Sequence, residues 1–462
     1  MALPNRRLAG QSTDTMQDNS IEIKSLDMDA RGVGHMQDNE DGTPGKVVFV
    51  EGALPGERVS FELLRKKKNW ESGRATVIHR ESSMRVQPKC VHFDVCGGCS
   101  MQHLEASAQV AVKQRVLEDN LWHLSKVKAD VMMRPLHGPT WGYRYRARLS
   151  ARWVAKKETV LVGFHEKRSV FVADIKSCQI LPKHVSDMLV PLRTLIGSLS
   201  IFDKVPQLEL AIGEDLTVLV MRNMVPLAKD DEAKLKAFAD EFDIQWWLQP
   251  KGPETAYPFY PLGKELYYLL PEFGIRMPFK PVDFTQVNHQ INRVLVHKAL
   301  RHLDVQPGER VADLFCGIGN FTLPLATQAR EVVGIEGSTT LTERAQQNAV
   351  VNGVGDKTTF YCRNLFEVTK DDLIALGKFD RILVDPPRDG AMALCQALAD
   401  LKETDPALLP KRIVYVSCSP STLARDAGLL VNGAGYTLSQ AGVMNMFPHT
   451  SHVESMAVFD LA

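Results

Sequence analysis

Arg310-Val311-Ala312-Asp313-Leu314-Phe315-Cys316-Gly317-Ile318-Gly319-Asn320-Phe321 reads as a β-strand that breaks into a glycine-punctuated turn and then enters a helix. From Phe284 to the C-terminus, strand and helix alternate regularly around this stretch. Strands are expected at Arg310–Phe315, Glu331–Ile335, Thr358–Tyr361, Phe379–Val384, Arg412–Val416, Tyr436–Met446 and Val453–Phe459, with helical periodicity between most neighbours. That alternation specifies an α/β fold with a doubly wound, mostly parallel sheet whose ligands bind at the carboxyl ends of its strands. No helix separates the last two strands, so one of them is expected to run antiparallel.

The turn itself selects a ligand class. Gly317 and Gly319 let the backbone approach a ligand closely, but Pro324 and Leu325 stand where a pyrophosphate fingerprint would carry its third glycine. A nucleoside without a pyrophosphate fits better. Seventeen residues after Gly319, the second strand ends in Glu336, placed to accept hydrogen bonds from both ribose hydroxyls. The pair points to S-adenosylmethionine rather than NAD. The fourth strand ends in Asp385-Pro386-Pro387-Arg388, a stiff loop carrying a carboxylate at the ligand edge. A tetrapeptide of this kind ending in an aromatic residue marks amino-group methyltransferases, and Arg388 in that place weakens that reading.

The fifth strand runs into Ser417-Cys418-Ser419-Pro420, and the final strand carries Glu454 back toward the same edge. A lone cysteine is usually an inert packing residue. A thiolate and a carboxylate beside an activated methyl group suit one difficult reaction, however. Carbon 5 of uracil is too weak a nucleophile to attack a sulfonium methyl unaided, whereas addition of a thiolate at carbon 6 creates an enolate that attacks it. A base then removes the carbon-5 proton and the thiol is eliminated. Cys418 is the candidate nucleophile and Glu454 the candidate base. Something must favour the thiolate over the thiol, whose ordinary pKa is near 8.5, and the sequence does not show what.

Upstream, the 462 residues leave room for about three domains. Lys and Arg (55) balance Asp and Glu (55), which argues against a simple tail-driven polyanion binder, but the balance is regional. Asp14–Gly45 carries eight acidic against two basic residues, Arg58–Arg80 seven basic against two acidic, and Trp141–Arg168 eight basic against two acidic. The first 18 residues have the composition of a disordered leader. Residues 19–82 alternate short strand patterns, Ile21–Ser25, Lys46–Val50, Arg58–Leu64 and Arg74–His79, with breaks such as Arg31–His35, and suggest a small antiparallel barrel. Residues 83–283 read as an α+β domain, with a helix over Ala106–Leu124. No apolar run approaches a membrane span, and the N-terminus lacks the core of a signal peptide, so a cytoplasmic protein is expected.

Within the central region, Cys90, Cys96 and Cys99 cluster and Cys178 stands apart. Four such thiolates suit tetrahedral zinc or a [4Fe–4S] cluster, and the spacing favours iron–sulfur only slightly. Cys316, Cys362 and Cys395 follow core patterns and are expected to pack. Trp141–Trp153 interleaves aromatics with Arg144, Arg146, Arg148 and Arg152, which alternation sends to opposite strand faces. A row of arginines neutralises phosphates, and the aromatics are candidates to stack on unpaired bases. The Arg65–Trp70 run on the barrel is a weaker signal of the same kind.

Phe284-Thr285-Gln286-Val287-Asn288, the Asp313–Phe321 turn, Asp385–Arg388, Ser417–Pro420 and His452-Val453-Glu454-Ser455 together resemble the S-adenosylmethionine-dependent RNA uracil-C5 methyltransferases, most closely the iron–sulfur group acting on uracil-1939 of 23S ribosomal RNA. The resemblance covers nearly the whole chain. It implies a Rossmann-like class I methyltransferase domain over 284–462, an OB-like barrel of the TRAM type, and a [4Fe–4S] cluster on Cys90, Cys96, Cys99 and Cys178. It further implies that Gln286, Phe315, Asn320, Glu336, Asn364 and Asp385 contact S-adenosylmethionine, that Cys418 is the nucleophile, and that Glu454 is the base. Relatives acting on transfer RNA typically lack both barrel and cluster cysteines, so their presence points to the ribosomal group with 23S RNA as partner; no obligate protein partner is expected, and the enzyme is expected to be a monomer. The rival readings are another ribosomal or transfer RNA uridine, amino-group methylation through the Asp385 loop, and a non-catalytic ribosome-assembly factor.

Overall fold

The computed structural model describes residues 20–36, 43 and 45–462; the leader expected over 1–18 lies outside them. The described chain falls into two compact units divided after Arg85. The first is a closed barrel of β1 (Ser20–Leu26), β2 (Gly32–His35), β3 (Val47–Glu51), β4 (Arg58–Lys66) and β5 (Trp70–Arg80). Two features depart from the expectation. The Arg31–His35 break is itself a strand: side chains at Gly32 and Gly34 would meet Ile23 at 2.8 Å and the Glu22 carbonyl at 2.6 Å, so only glycine lets the strands close so tightly. The barrel is also not wholly antiparallel, because β3 and β5 pair in parallel. Arg65 lies over the ring of Trp70 at the exposed end of the β4–β5 hairpin.

The second unit opens with the cysteine segment, followed by α1 (Ala106–Ser125) and a two-residue strand, β6 (Val131–Met132). A six-stranded sheet then forms from β7 (Arg146–Val154), β8 (Thr159–Gly163), β9 (Gln207–Ile212), β10 (Thr217–Arg222), β11 (Ile244–Gln249) and β12 (Tyr257–Tyr260), in the order β12-β11-β10-β9-β7-β8. Helices α2 (Lys183–Ser198) and α3 (Lys229–Phe242) share its core through Leu189, Leu192, Leu235 and Phe238. A hairpin, β13 (Tyr267–Leu270) and β14 (Ile275–Pro278), leads to the C-terminal sheet.

That sheet is built from α4 (His289–Leu303), β15 (Arg310–Leu314), α5 (Thr322–Ala326), β16 (Glu331–Glu336), α6 (Thr339–Val351), β17 (Thr358–Cys362), α7 (Lys370–Leu376), β18 (Arg381–Val384), α8 (Met392–Thr404), β19 (Arg412–Ser417), α9 (Pro420–Gly428), β20 (Tyr436–Met444) and β21 (Glu454–Leu461). The strand order is β17-β16-β15-β18-β19-β21-β20-β6, and β21 is the one reversed strand, as expected for the last pair. Continuous burial along β15, β18 and β19 reflects a parallel sheet covered on both faces. Sequence pattern places 106–136 with the central domain, whereas the structure packs α1 on the C-terminal sheet. Val116, Leu117 and Leu121 join Leu423, Ala427 and Leu438 in one core, and β6 extends the sheet beyond β20.

Two further expectations fail. The apolar face leading into and along β7 is largely core: Tyr143, Ala147, Leu149 and Ala151 are buried, with the Tyr143 hydroxyl donating to the Pro448 carbonyl (2.8 Å), Tyr145 is half-buried edge-on to His289, and Trp153 is exposed, edge-on to Phe202. Among the arginines, Arg148 pairs with Glu209 (3.0 Å), and Arg146 is deeply set with one guanidinium nitrogen lacking a hydrogen-bond partner. Cys316 and Cys395 are buried as predicted, but Cys362 is exposed because β17 is the edge of the sheet.

Candidate active site

The carboxyl ends of β15, β16, β18 and β19 meet at one edge, and the expected site residues gather along it. The turn after β15 holds Phe315 at φ 63°, a conformation that bulky L-residues avoid. The N–H groups of Phe315 and Cys316 both donate to the Ile335 carbonyl (2.9 and 3.1 Å), which locks the turn onto β16. Gly319 follows at φ 95°, where a Cβ would meet Leu323 at 2.4 Å. Glu336 closes the turn from the neighbouring strand by accepting from the N–H groups of Gly317 (3.1 Å), Gly337 (2.7 Å) and Ser338 (3.2 Å).

Asn320 exchanges amide hydrogen bonds with Asn292 on α4 (3.0 and 3.1 Å) and accepts from the Tyr268 hydroxyl (2.8 Å). Gln286 lies in the segment leading to α4, whose Asn288 caps the helix by accepting from the Ile291 N–H. The same segment is tied to the start of β7, since the Tyr145 N–H donates to the Val287 carbonyl (2.7 Å). Asn364 is exposed beyond β17 and accepts from the Phe366 N–H; the Phe366 ring meets that of Phe315 at 5.6 Å. Polar atoms without partners collect in this part of the fold: Asp313 Oδ1, Thr285 Oγ1, Arg146 Nη1 and His289 Nε2. Buried polar atoms are normally paired, so each of these is a group that a polar ligand reaching it would satisfy. Asp313, inside the Arg310–Phe315 strand pattern, is completely buried, which strand periodicity alone does not reveal.

Asp385 follows β18, and the loop it opens is pinned by the Ala391 N–H, which donates to the Asp426 carboxylate (2.7 Å) and the Tyr415 hydroxyl (3.0 Å). Burial pushes the Asp385 carboxyl up to about 7, and burial does the same to Asp313. Cys418 sits one residue past β19 and Glu454 opens β21. These strands pair antiparallel with Ser417 opposite Ser455, so Cys418 and Glu454 are the next opposed positions along the ladder. The Ser455 hydroxyl reinforces that end by donating to the Ser417 carbonyl (3.2 Å).

Burial, then the charges of Glu454 and Asp385, push the Cys418 thiol up to about 11, and the Arg388 guanidinium works in the opposite sense. Glu454 is held well above the carboxylate range, first by burial and then by Asp385. Arg388 also lies 3.2 Å from His452 Nδ1. Burial, followed by the positive charges of Arg388, Arg144 and Lys113, keeps His452 below its ordinary value. The site therefore brings together a thiol and a carboxyl group, both held above their ordinary ranges, beside the Arg388 guanidinium.

Cys90, Cys96, Cys99 and Cys178 line one small cavity with Phe164 and Ile175. Burial pushes Cys99 up to about 12 and Cys178 up to about 11. A Cβ at Gly97 would meet the His165 carbonyl at 3.0 Å, and one at Gly98 would meet Phe164 at 3.2 Å, so the cradle accepts only glycine there without displacement. Among the described residues, no three His, Cys, Asp or Glu side chains stand as a ready site for a single metal ion.

A 23S rRNA (uracil(1939)-C(5))-methyltransferase RlmD of Cupriavidus pinatubonensis is 66% identical to this chain over 440 residues, which cover 95% of each protein. That of Cupriavidus metallidurans is 65% identical over 452 residues, covering 98% of this chain and 97% of the relative. The chain belongs to the RNA uracil-C5 methyltransferase family. A family model described as tRNA (Uracil-5-)-methyltransferase matches residues 274–460 of this methyltransferase. The crystal structure of Pyrococcus abyssi tRNA (uracil-54, C5)-methyltransferase in complex with S-adenosyl-L-homocysteine shares its fold, with a TM-score of 0.69 and 23% identity over 95% of this chain and 99% of that one. That transfer RNA enzyme thus shares the fold over nearly the whole chain. No described helix is long and apolar enough to cross a membrane.

Proposed function

We propose that this methyltransferase moves a methyl group from S-adenosylmethionine to carbon 5 of one uridine in 23S ribosomal RNA, at the position its relatives number 1939. The observation that carries the chemistry is the opposition of Cys418 and Glu454 at the reversed β19–β21 pair, beside the Asp385 loop. S-adenosylmethionine supplies an activated methyl group, and its contacts are Gln286, Phe315, Asn320, Glu336, Asn364 and Asp385. Cys418 gives its proton to water and adds through sulfur to carbon 6, and the enolate carbon 5 then takes the methyl as S-adenosylhomocysteine leaves. The Glu454 carboxylate removes the remaining carbon-5 proton, the sulfur–carbon bond breaks, and 5-methyluridine leaves.

The four cysteines of the glycine-lined cavity are the proposed ligands of a [4Fe–4S] cluster. Four thiols lining one cavity match the four-thiolate ligation of such a cluster. The division of labour is a barrel over 19–82 and a central domain within 83–283 for RNA, and a catalytic domain over 284–462. Exposed Arg152 on β7 and the Arg65–Trp70 tip supply phosphate contacts. The protein acts as a cytoplasmic monomer.

Mapping 5-methyluridine in 23S RNA from a strain lacking this protein tests the target, and methyl transfer to that RNA by purified protein tests the reaction. Loss of one 5-methyluridine that the purified enzyme restores is expected. An unchanged map excludes the target, and full activity of Cys418→Ala favours amino-group methylation over the covalent route.

A further inference from the structure

The loop between β20 and β21 delivers His452 and Glu454 to the active site, and it is held from outside the catalytic domain's own loops. Lys113 on α1 is buried, with no carboxylate partner among the described residues. Its Nζ donates to Asn445 Oδ1 (2.8 Å) and to the Phe447 carbonyl (2.8 Å). One turn earlier, Gln109 is completely buried. Its Oε1 accepts from the His449 N–H (2.8 Å), while its Nε2 reaches His449 Nδ1 (3.1 Å) and the carbonyls of Met101 (3.0 Å) and Leu104 (2.8 Å).

His449 itself is in the left-handed region (φ 65°), with Trp141 stacked on its ring at 3.9 Å. Its carbonyl accepts from the N–H groups of Ser100 (2.9 Å) and Met101 (3.0 Å), the residues directly after Cys99. Tyr143 donates to the Pro448 carbonyl (2.8 Å), and Ser100 Oγ accepts from the Ser451 N–H (3.0 Å).

A buried lysine with only neutral acceptors costs stability that a methionine in its place would not. A helix whose sole task is to cover the sheet has no need of Lys113 or Gln109; Lys113 directs both its hydrogen bonds to one loop, and Gln109 joins that loop at His449 to the Met101 and Leu104 carbonyls. An unclamped loop with a histidine at positive φ relaxes, and Glu454 lies five residues beyond that histidine. Proton transfer demands placement within hydrogen-bond reach, so small displacements of the carboxylate are costly.

We propose that Gln109 and Lys113 are positioning residues that hold the 445–452 loop so that Glu454 reaches the carbon-5 proton after methyl transfer, with Tyr143 and the Ser100–Met101 backbone completing the clamp. This rests on Glu454 being the base. The clamp acts late in the reaction: loosening it slows collapse of the Cys418–RNA adduct and leaves cofactor binding untouched.

The test compares full-length Glu454→Gln, Lys113→Met and Tyr143→Phe on unmodified 23S RNA, scoring the fraction of enzyme in a denaturation-resistant RNA adduct. Single-turnover release rate, S-adenosylhomocysteine affinity and thermal midpoint are measured beside it. Glu454→Gln is expected to trap the adduct. Lys113→Met should slow release roughly a hundredfold and accumulate adduct, and Tyr143→Phe should do so by roughly fivefold, each with cofactor affinity within about twofold of the parent. If Glu454→Gln traps adduct while Tyr143→Phe and any folded Lys113→Met release at the parent rate, the clamp is refuted and the base stands. Lost activity without adduct in the two clamp variants refutes it equally. If Glu454→Gln itself traps nothing, the assignment of the base fails first and the clamp with it.

Discussion

Removing one exposed cation, by Arg388→Ala, should slow the reaction in a way that depends on pH and salt. Burial and two neighbouring carboxyl groups hold the Cys418 thiol at about 11, and Arg388 is the side chain that opposes them. At pH 8 only roughly one free enzyme in a thousand then carries a thiolate, since each unit below the pKa costs tenfold. Addition to carbon 6 and the irreversible methyl transfer both precede proton removal by Glu454. The kcat/KM for RNA therefore does not include the Glu454 step and should rise from about pH 6 to 9 as the thiolate fraction grows, with Asp385, held at about 7, ionising in the same window. Arg388 is exposed, so solvent screens its charge. Its loss should lower kcat/KM at fixed pH by roughly threefold, more in dilute buffer than at high salt, without changing the slope. Arg388→Lys should recover most of the loss. Initial rates with labelled S-adenosylmethionine and an unmodified 23S fragment, across pH and at two salt concentrations, provide the assay. A flat pH profile, or an Arg388→Ala profile superimposed on the parent at low salt, would refute the reasoning.

Three further outcomes follow from the geometry. Asp313 keeps its proton in the fold up to about pH 7, whereas in the unfolded chain it releases it near 4, so the native state binds more protons and stability falls as pH rises between those values. Asp313→Asn should flatten that slope in calorimetric melts from pH 5 to 8. In the barrel, completely buried Glu57 accepts from Arg85 (2.6 and 2.8 Å) and from the N–H groups of Leu54 and Ser82. Glu57→Gln strips the charge partner from Arg85 and should destabilise the barrel by about 3 kcal/mol, read as faster proteolysis before Arg85. Protein purified anaerobically should be coloured and hold iron and acid-labile sulfide, and Cys178→Ser should lose all three; undiminished iron and sulfide in that variant would remove Cys178 from the ligand set.

Much of the catalytic edge was legible because a parallel sheet converts order in the chain into place in space. Once the Asp313–Phe321 turn is read as strand-to-helix, Glu336, Asp385 and Cys418 must all lie at carboxyl strand ends, and the missing helix before β21 brings Glu454 back to meet them. Alternation in Trp141–Trp153 announced two unlike faces, but period two does not say which face is core, and Tyr143 went inward. The β2 strand escaped notice because Gly32 and Gly34 have poor strand propensity; they are there for the close approach of β1 and Ala53.

By itself, the sequence determined the α/β class, the nucleoside-type turn, the nucleophile and base candidates, and the grouping of eight cysteines into four candidate cluster ligands, one candidate nucleophile and three others. These properties depend on local periodicity and on the chemistry of individual side chains. Only the tertiary structure decided that α1 and β6 complete the catalytic sheet, that Cys362 faces solvent, and that Arg388 is the cation nearest in effect to Cys418. The same is true of the clamp, in which residues 109 and 113 reach a loop more than 300 positions away. The buried face of a helix is encoded in its own spacing, but the surface it covers is chosen by packing and hydrogen-bond complementarity between distant segments, and no short window of sequence contains both partners.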